Sequence, residues 1–150
     1  MRDYVVFAII AGTAWGVGGY FEKAALQQLR LPPIAGITLR TAIAAVVLGV
    51  VSIPAWKAIG NPNDIRAWVT LVVAGGLVAG SLGMWSFYAA LARSENLGIT
   101  LAVAFALAPL AGTVVGLVRG TQHVDIKIAL GMAAILTGIV LLQLSHKPAV

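Results

Sequence analysis

Glu22, Lys23 and Arg40 form the most notable cluster of charged residues, because each falls inside a strongly apolar stretch of the chain. Glu22 and Lys23 lie near the end of one stretch, and Arg40 follows the start of the next. Charges in apolar surroundings are costly unless they are paired or reach water. We therefore expect Glu22 to lie within ion-pair distance of Lys23 or Arg40. Two interpretations stay open: long side chains that extend to water, or the charged rim of an aqueous cavity.

Several large aromatic residues lie within apolar stretches rather than at their ends. A flat ring with a polar tip suits an amphipathic solute, but the same ring also fills a protein core. If these rings line a cavity, the predicted substrate-binding residues are Trp15, Tyr20, Trp85 and Tyr88, with Lys23 and Arg40 at the rim.

The remaining residues offer little for catalysis. Four of the acids, Asp3, Asp64, Glu95 and Asp125, lie at the ends of apolar stretches. There is no Ser-His-Asp arrangement, HExxH motif or glycine-rich phosphate loop. The chain has no Cys, which excludes disulfides and thiolate metal sites. We therefore expect no catalytic residue, no metal site and no cofactor. No carboxylate lies at the middle of a stretch, which disfavours a carrier that exchanges protons for organic cations there.

The composition indicates an integral membrane protein. Of 150 residues, 60% are hydrophobic and 10% are charged, against about 45–50% and about 25% in soluble domains. The formal charge is +5, but the basic residues are scattered, and nucleic-acid binding needs a basic patch. We expect the lipid bilayer, not nucleic acid, as the surrounding partner, and a single domain over residues 1–150.

Five apolar stretches are long enough to cross about 30 Å of hydrocarbon as helices. They lack the period-two alternation of barrel strands, and only helices or closed barrels span membranes. The N-terminal stretch is long for a secretory signal, and Asp3 offsets Arg2, so we interpret it as a span rather than a cleaved signal. The fold class predicted is all-α with transmembrane helices at about 4–26, 33–56, 67–92, 97–118 and 126–144.

Small residues four apart recur in the spans, and this spacing lets helix backbones approach closely. The predicted helix-packing glycines are Gly12, Gly16, Gly76, Gly80, Gly112 and Gly116. Pro109 falls in the middle of the fourth span, where it removes one backbone hydrogen bond. The resulting bend is either static or a hinge.

Lys and Arg are divided evenly between the two sides of the membrane. Cytoplasmic loops normally carry the excess of these residues and so set the orientation. On the side of the N-terminus lie Arg2, Lys57, Arg66, Arg119 and Lys127, and on the other side lie Lys23, Arg30, Arg40, Arg93 and Lys147. Either other features set the topology, or the chain inserts in both orientations.

The order of these landmarks resembles one EamA-type half of the drug/metabolite transporter superfamily. The resemblance is carried by Trp15-Gly16, Lys23, Pro33 followed by Arg40, Tyr88-Ala89-Ala90-Leu91, Pro109, Gly131 and Gly138. It covers nearly the whole chain. Family members often carry a glutamate after the fourth span, where this chain has Gly120-Thr121-Gln122.

The resemblance implies a multi-pass protein of the cytoplasmic membrane that transports a small metabolite or drug-like solute by alternating access. Many members have ten spans in two inverted five-span repeats, so one repeat implies assembly as an antiparallel homodimer. Two alternatives stay open. A subunit of a flippase for a lipid-linked substrate predicts a lipid-facing groove and a basic headgroup site. A membrane partner protein that transports nothing predicts no solvated cavity.

Overall fold

The computed structural model describes residues 3–60 and 64–145, which form helices with no strand among them. The α-helices are α1 (Asp3–Leu29), α2 (Pro33–Val51), α3 (Trp56–Gly60), α4 (Ile65–Thr70), α5 (Met84–Arg93), α6 (Leu97–Val118) and α7 (Ile126–Ser145). A 3-10 turn, Ile53–Ala55, precedes α3, and a π-helix, Leu71–Gly83, joins α4 to α5.

Among the described residues, five stretches are long and apolar enough to span a membrane, which confirms the predicted all-α membrane fold. They are Tyr4–Leu29, Pro33–Val51, Ile65–Arg93, Leu97–Val118 and Ile126–Leu144. The first continues past the predicted residue 26.

The second and third spans also differ from their predicted bounds, and local chemistry explains both differences. The second ends at Val51 rather than at residue 56, because Pro54 cannot donate a helical hydrogen bond and restricts the residue before it. The third begins at Ile65, because the Asp64 carboxylate accepts hydrogen bonds from the backbone N–H groups of the first turn.

Two compact units make up the chain. One combines the first part of α1, up to Gly19, with α6 and α7, and the other runs from Tyr20 to Arg93. The unit that runs from Tyr20 to Arg93 is called the central unit below. The prediction of a single domain stays a prediction.

The central unit is built where α2 packs along α5, with the end of α1 against both. Leu26, Ile37 and Tyr88 are its buried cluster, and Tyr88 is 2% exposed. Gly36 allows this close approach: a methyl group there would lie 2.5 Å from Leu26 Cδ2 and 3.2 Å from Tyr88 Cε1. A side chain at position 36 would therefore displace the buried cluster.

In the other unit, α6 packs along α7, and the Trp15 ring stacks on Phe105 with centroids 5.3 Å apart. The α6 helix ends where Gly120 takes a positive φ of 65°, which only glycine adopts readily. The amide of Thr121 then returns a hydrogen bond to the Gly116 carbonyl at 2.9 Å. This hydrogen bond satisfies one of the carbonyl oxygens in the last turn of α6.

The six predicted packing glycines make few close contacts. A methyl group at Gly12, Gly16, Gly76 or Gly112 would meet no atom of its own unit within 4 Å. At Gly116 it would meet Gln122, which follows the same helix, and at Gly80 it would lie 3.0 Å from the Gly75 carbonyl oxygen. Helix-to-helix packing at these positions stays a prediction.

One glycine of the π-helix lies close to a backbone carbonyl of the same helix. A methyl group at Gly80 would lie 3.0 Å from the Gly75 carbonyl oxygen, which is a tight contact. The Ser81 hydroxyl donates to the Gly76 carbonyl, five residues back, at 3.1 Å. Gly80 thus fits a geometry that hydropathy alone does not indicate.

We expect Gly36→Ala to lower the unfolding temperature of the purified protein in detergent, because overpacking a fitted site costs about 1–3 kcal/mol. Gly49→Ala is the matched control, since a methyl group on Gly49 of the same helix meets nothing within 4 Å. The control should be neutral or stabilising, because alanine favours a helix over glycine. Equal unfolding temperatures for the two variants would contradict the packing described around Gly36.

Candidate functional site

Arg40 and Glu22 form an ion pair between α2 and α1. The guanidinium Nε lies 2.8 Å from Glu22 Oε1, which confirms the ion pair predicted for Glu22. Glu22 lies seven residues before the end of α1 and Arg40 seven residues after the start of α2, so each lies about 10 Å from its helix end at 1.5 Å per residue. The side chains are 24% and 35% exposed. The pair is therefore partly buried at a matched depth.

Two residues of α5 complete the surroundings of the pair. The Tyr88 hydroxyl is in hydrogen-bonding reach of the Glu22 carboxylate. Arg40 Nη1 donates to the Met84 sulfur at 3.6 Å. Lys23 follows Glu22 on α1 and is half-buried. The pair thus lies where three helices of the central unit meet.

A cavity of about 320 Å³ opens beside the ion pair. Glu22, Arg40 and Tyr88 contribute its polar groups. The rest of the wall is apolar and consists of Ala25, Leu26, Leu29, Leu31, Gly36, Leu39 and Ile43. An apolar wall with a few convergent polar groups is typical of a site for a small organic molecule.

Trp85 lines a separate groove of about 420 Å³ on the opposite face of α2. Thr38 and Ser81 also line the groove, but their hydroxyls donate to the carbonyls of Ile34 and Gly76 in their own helices. The Trp85 side chain is 47% exposed. This groove therefore offers an aromatic face and few unsatisfied polar groups.

The predicted substrate-binding residues fall into several environments. Arg40 and Tyr88 come together at the cavity, and Tyr88 is at once a core residue and a polar wall residue. Lys23 does not line the cavity. Tyr20 is 61% exposed and contacts the edge of Phe21.

The other unit holds the remaining predicted site residues. Trp15 stacks on Phe105, as described above. Pro109 lies inside α6, which continues through it from Leu97 to Val118. Its role as a hinge stays a prediction.

Sequence reasoning placed Glu22 in the charged cluster but did not include it among the binding residues. A signal was available, since the other four acids lie at helix ends or in loops and Glu22 lies within a span. Leu26 and Gly36 also line the cavity and were not predicted. Nothing in an apolar sequence distinguishes them from neighbouring leucines and glycines.

Comparison with known proteins adds one finding. The model of the EamA-like transporter family matches residues 3–144 of the chain, a stretch that includes all five described spans. No curated protein and no solved structure matches the chain.

A double-mutant cycle should show that Glu22 and Arg40 stabilise the fold together. We expect Glu22→Gln and Arg40→Gln each to lower the unfolding temperature in detergent, since each leaves a partly buried charge without its partner. The double variant should lose less unfolding free energy than the two single variants lose together. The difference, which is the coupling energy, should be about 0.5–3 kcal/mol. Arg93→Gln is the control, because Arg93 is exposed and donates to the Ala89 carbonyl of its own helix. Additive losses would mean that Glu22 and Arg40 are not coupled and that their contact does not stabilise the fold.

Proposed function

The chain belongs to the EamA-like transporter family, and from this premise we propose that it carries a small metabolite or drug-like solute across the cytoplasmic membrane by alternating access. The observation that carries the proposal is the match of the family model over residues 3–144, together with five spans in the same residues. Five spans correspond to one repeat. The cavity beside Glu22 and Arg40 supports a small solute as the substrate.

We further propose that the active form is an antiparallel homodimer. A repeat with an odd number of spans ends on the side opposite its start, so a following repeat is inverted. Inverted repeats form the site at their interface near the bilayer midplane in many transporters. A five-span chain reproduces this arrangement when it pairs with a copy inserted the other way. Four predicted packing glycines with open space in their own unit, Gly12, Gly16, Gly76 and Gly112, offer surfaces for that contact.

The distribution of charge supports insertion in both directions. Five basic residues on each side give no excess that fixes the orientation of every copy. Arg2 and Lys147, one on each side, lie outside the described residues. The described basic residues are therefore also balanced.

Transport is tested in proteoliposomes loaded with a mixed pool of small metabolites. We expect specific components to leave the vesicles faster than from protein-free liposomes, as measured by mass spectrometry of the external medium. Arg40→Gln should reduce this efflux, because Arg40 lines the cavity, and Arg93→Gln should preserve it. Efflux no faster than from protein-free liposomes, across the whole pool, would contradict a carrier of small solutes. Movement of a lipid-linked substrate alone would instead identify a flippase.

Orientation is tested with single cysteines, since the natural chain has none. Gln28→Cys and His123→Cys place one thiol at the end of α1 and one in the loop after α6, on opposite sides of the membrane. We expect a membrane-impermeant thiol reagent to label about half of each variant in intact cells, as an even split of orientations requires. Permeabilised cells give the full-labelling control. Complete labelling of one variant and none of the other would exclude dual insertion.

A further inference from the structure

Arg40 has donors that its protein partners do not satisfy. Its Nε is bound to Glu22 and its Nη1 donates to the Met84 sulfur. A thioether is a weak acceptor, whereas a guanidinium has five N–H donors. On the outer edge of the guanidinium, formed by Nη1 and Nη2, the partner observed is this sulfur, at 3.6 Å. That edge therefore has the capacity to bind a stronger acceptor.

The same side chain is accessible and lies in surroundings that make an ionic partner valuable. Arg40 lines the cavity and is 35% exposed. At about 10 Å from the start of α2, it lies among apolar side chains rather than in bulk water. Charge-assisted hydrogen bonds are strong in such a place, and the paired N–H groups of Arg match the two oxygens of a carboxylate or phosphate.

We propose that the Nη1–Nη2 edge of Arg40 binds the carboxylate or phosphate of an amphipathic solute. The apolar part of the solute lies against the exposed side chains of Leu29, Leu39 and Ile43 in the cavity wall. This inference rests on the proposed function and names the chemical class of the substrate, an organic anion with an apolar portion. The anionic group belongs either to a free solute or to a phospholipid headgroup.

Glu22 has a defined part in this site. It holds the guanidinium through Nε, and its negative charge balances that of Arg40 while no ligand is bound. The bound anion and the Glu22 carboxylate then share one cation, so the site binds its ligand only moderately and can release it. The other ionisable groups near the carboxylate are Tyr88 from α5 and Lys23 on α1. Removal of the Glu22 charge should therefore strengthen anion binding.

Binding is measured on the full-length protein in dodecyl maltoside, from the shift in unfolding temperature as ligand is added. Phenylacetate and phenyl phosphate serve as free anions, and phenylacetamide serves as the uncharged control of the same shape. Dihexanoyl phosphatidylglycerol tests the lipid headgroup as the source. We expect stabilisation by at least one anion and none by phenylacetamide.

Three variants separate binding from a structural role. Arg40→Lys keeps the charge but loses the paired donors, and should weaken anion affinity about tenfold. Arg93→Lys, the matched control, should bind as the wild type does. Glu22→Gln should bind the anion several-fold more tightly even if it unfolds at a lower temperature. A purely structural ion pair predicts no such gain.

The outcomes distinguish this inference from the proposed function. Equal responses to phenylacetate and phenylacetamide, or equal anion affinities for wild type and Arg40→Lys, would overturn the anion site while leaving transport of other solutes intact. Anion binding that depends on Arg40, without efflux from proteoliposomes, would support the site and count against the carrier. A response to the lipid alone would assign the site to a headgroup.

Discussion

Hydrocarbon offers no hydrogen-bond partners, and this constraint governs nearly every polar group in the spans. The hydroxyls of Thr38, Thr70 and Thr137 each donate to a carbonyl four residues back, and that of Ser81 to one five residues back. Helix starts are satisfied by side chains of the chain itself, where Asp64, Asn96 and Asp125 accept amide hydrogen bonds. Each helix therefore satisfies most of its own polar groups. Contacts between helices therefore depend on van der Waals packing and on the few polar groups that find no hydrogen-bond or ion-pair partner in their own helix.

Glu22 and Arg40 are the main polar groups whose partner lies on another helix. Their ion pair ties α1 to α2 at a depth where either charge alone is costly. The Tyr88 hydroxyl is in hydrogen-bonding reach of the Glu22 carboxylate, while its ring fills the core with Leu26. Stability and binding therefore share side chains in the central unit. This is why an exposed residue of the cavity wall such as Leu39 is a better probe of solute contact alone than Tyr88, whose loss removes core packing as well.

The sequence was sufficient to predict the spans, because runs of apolar residues longer than the hydrocarbon is thick have few other structures available. It also predicted the ion pair, since a short loop brings Glu22 and Arg40 to one side at one depth. It did not predict which faces of the helices pack. The spans are apolar all round, so no stripe marks the packed face, and Gly36 looks no different from Gly49 although only Gly36 touches the core. The π-helix was missed for a related reason, because hydropathy carries no information on how tightly a helix is wound.

The ion pair also bears on how the chain enters the membrane during synthesis. A lone charged residue raises the free energy of inserting a helix, by about 2.5–3.5 kcal/mol at the helix centre. Arg40, the ion-pair partner of Glu22, is made only with α2. The two helices are joined by a tight turn in which Arg30 takes a positive φ of 50° and the Leu31 amide bonds to the Leu26 carbonyl. The geometry favours a helical hairpin in which the charges of Glu22 and Arg40 enter the lipid as a pair. We therefore expect α1 and α2 to enter the bilayer together.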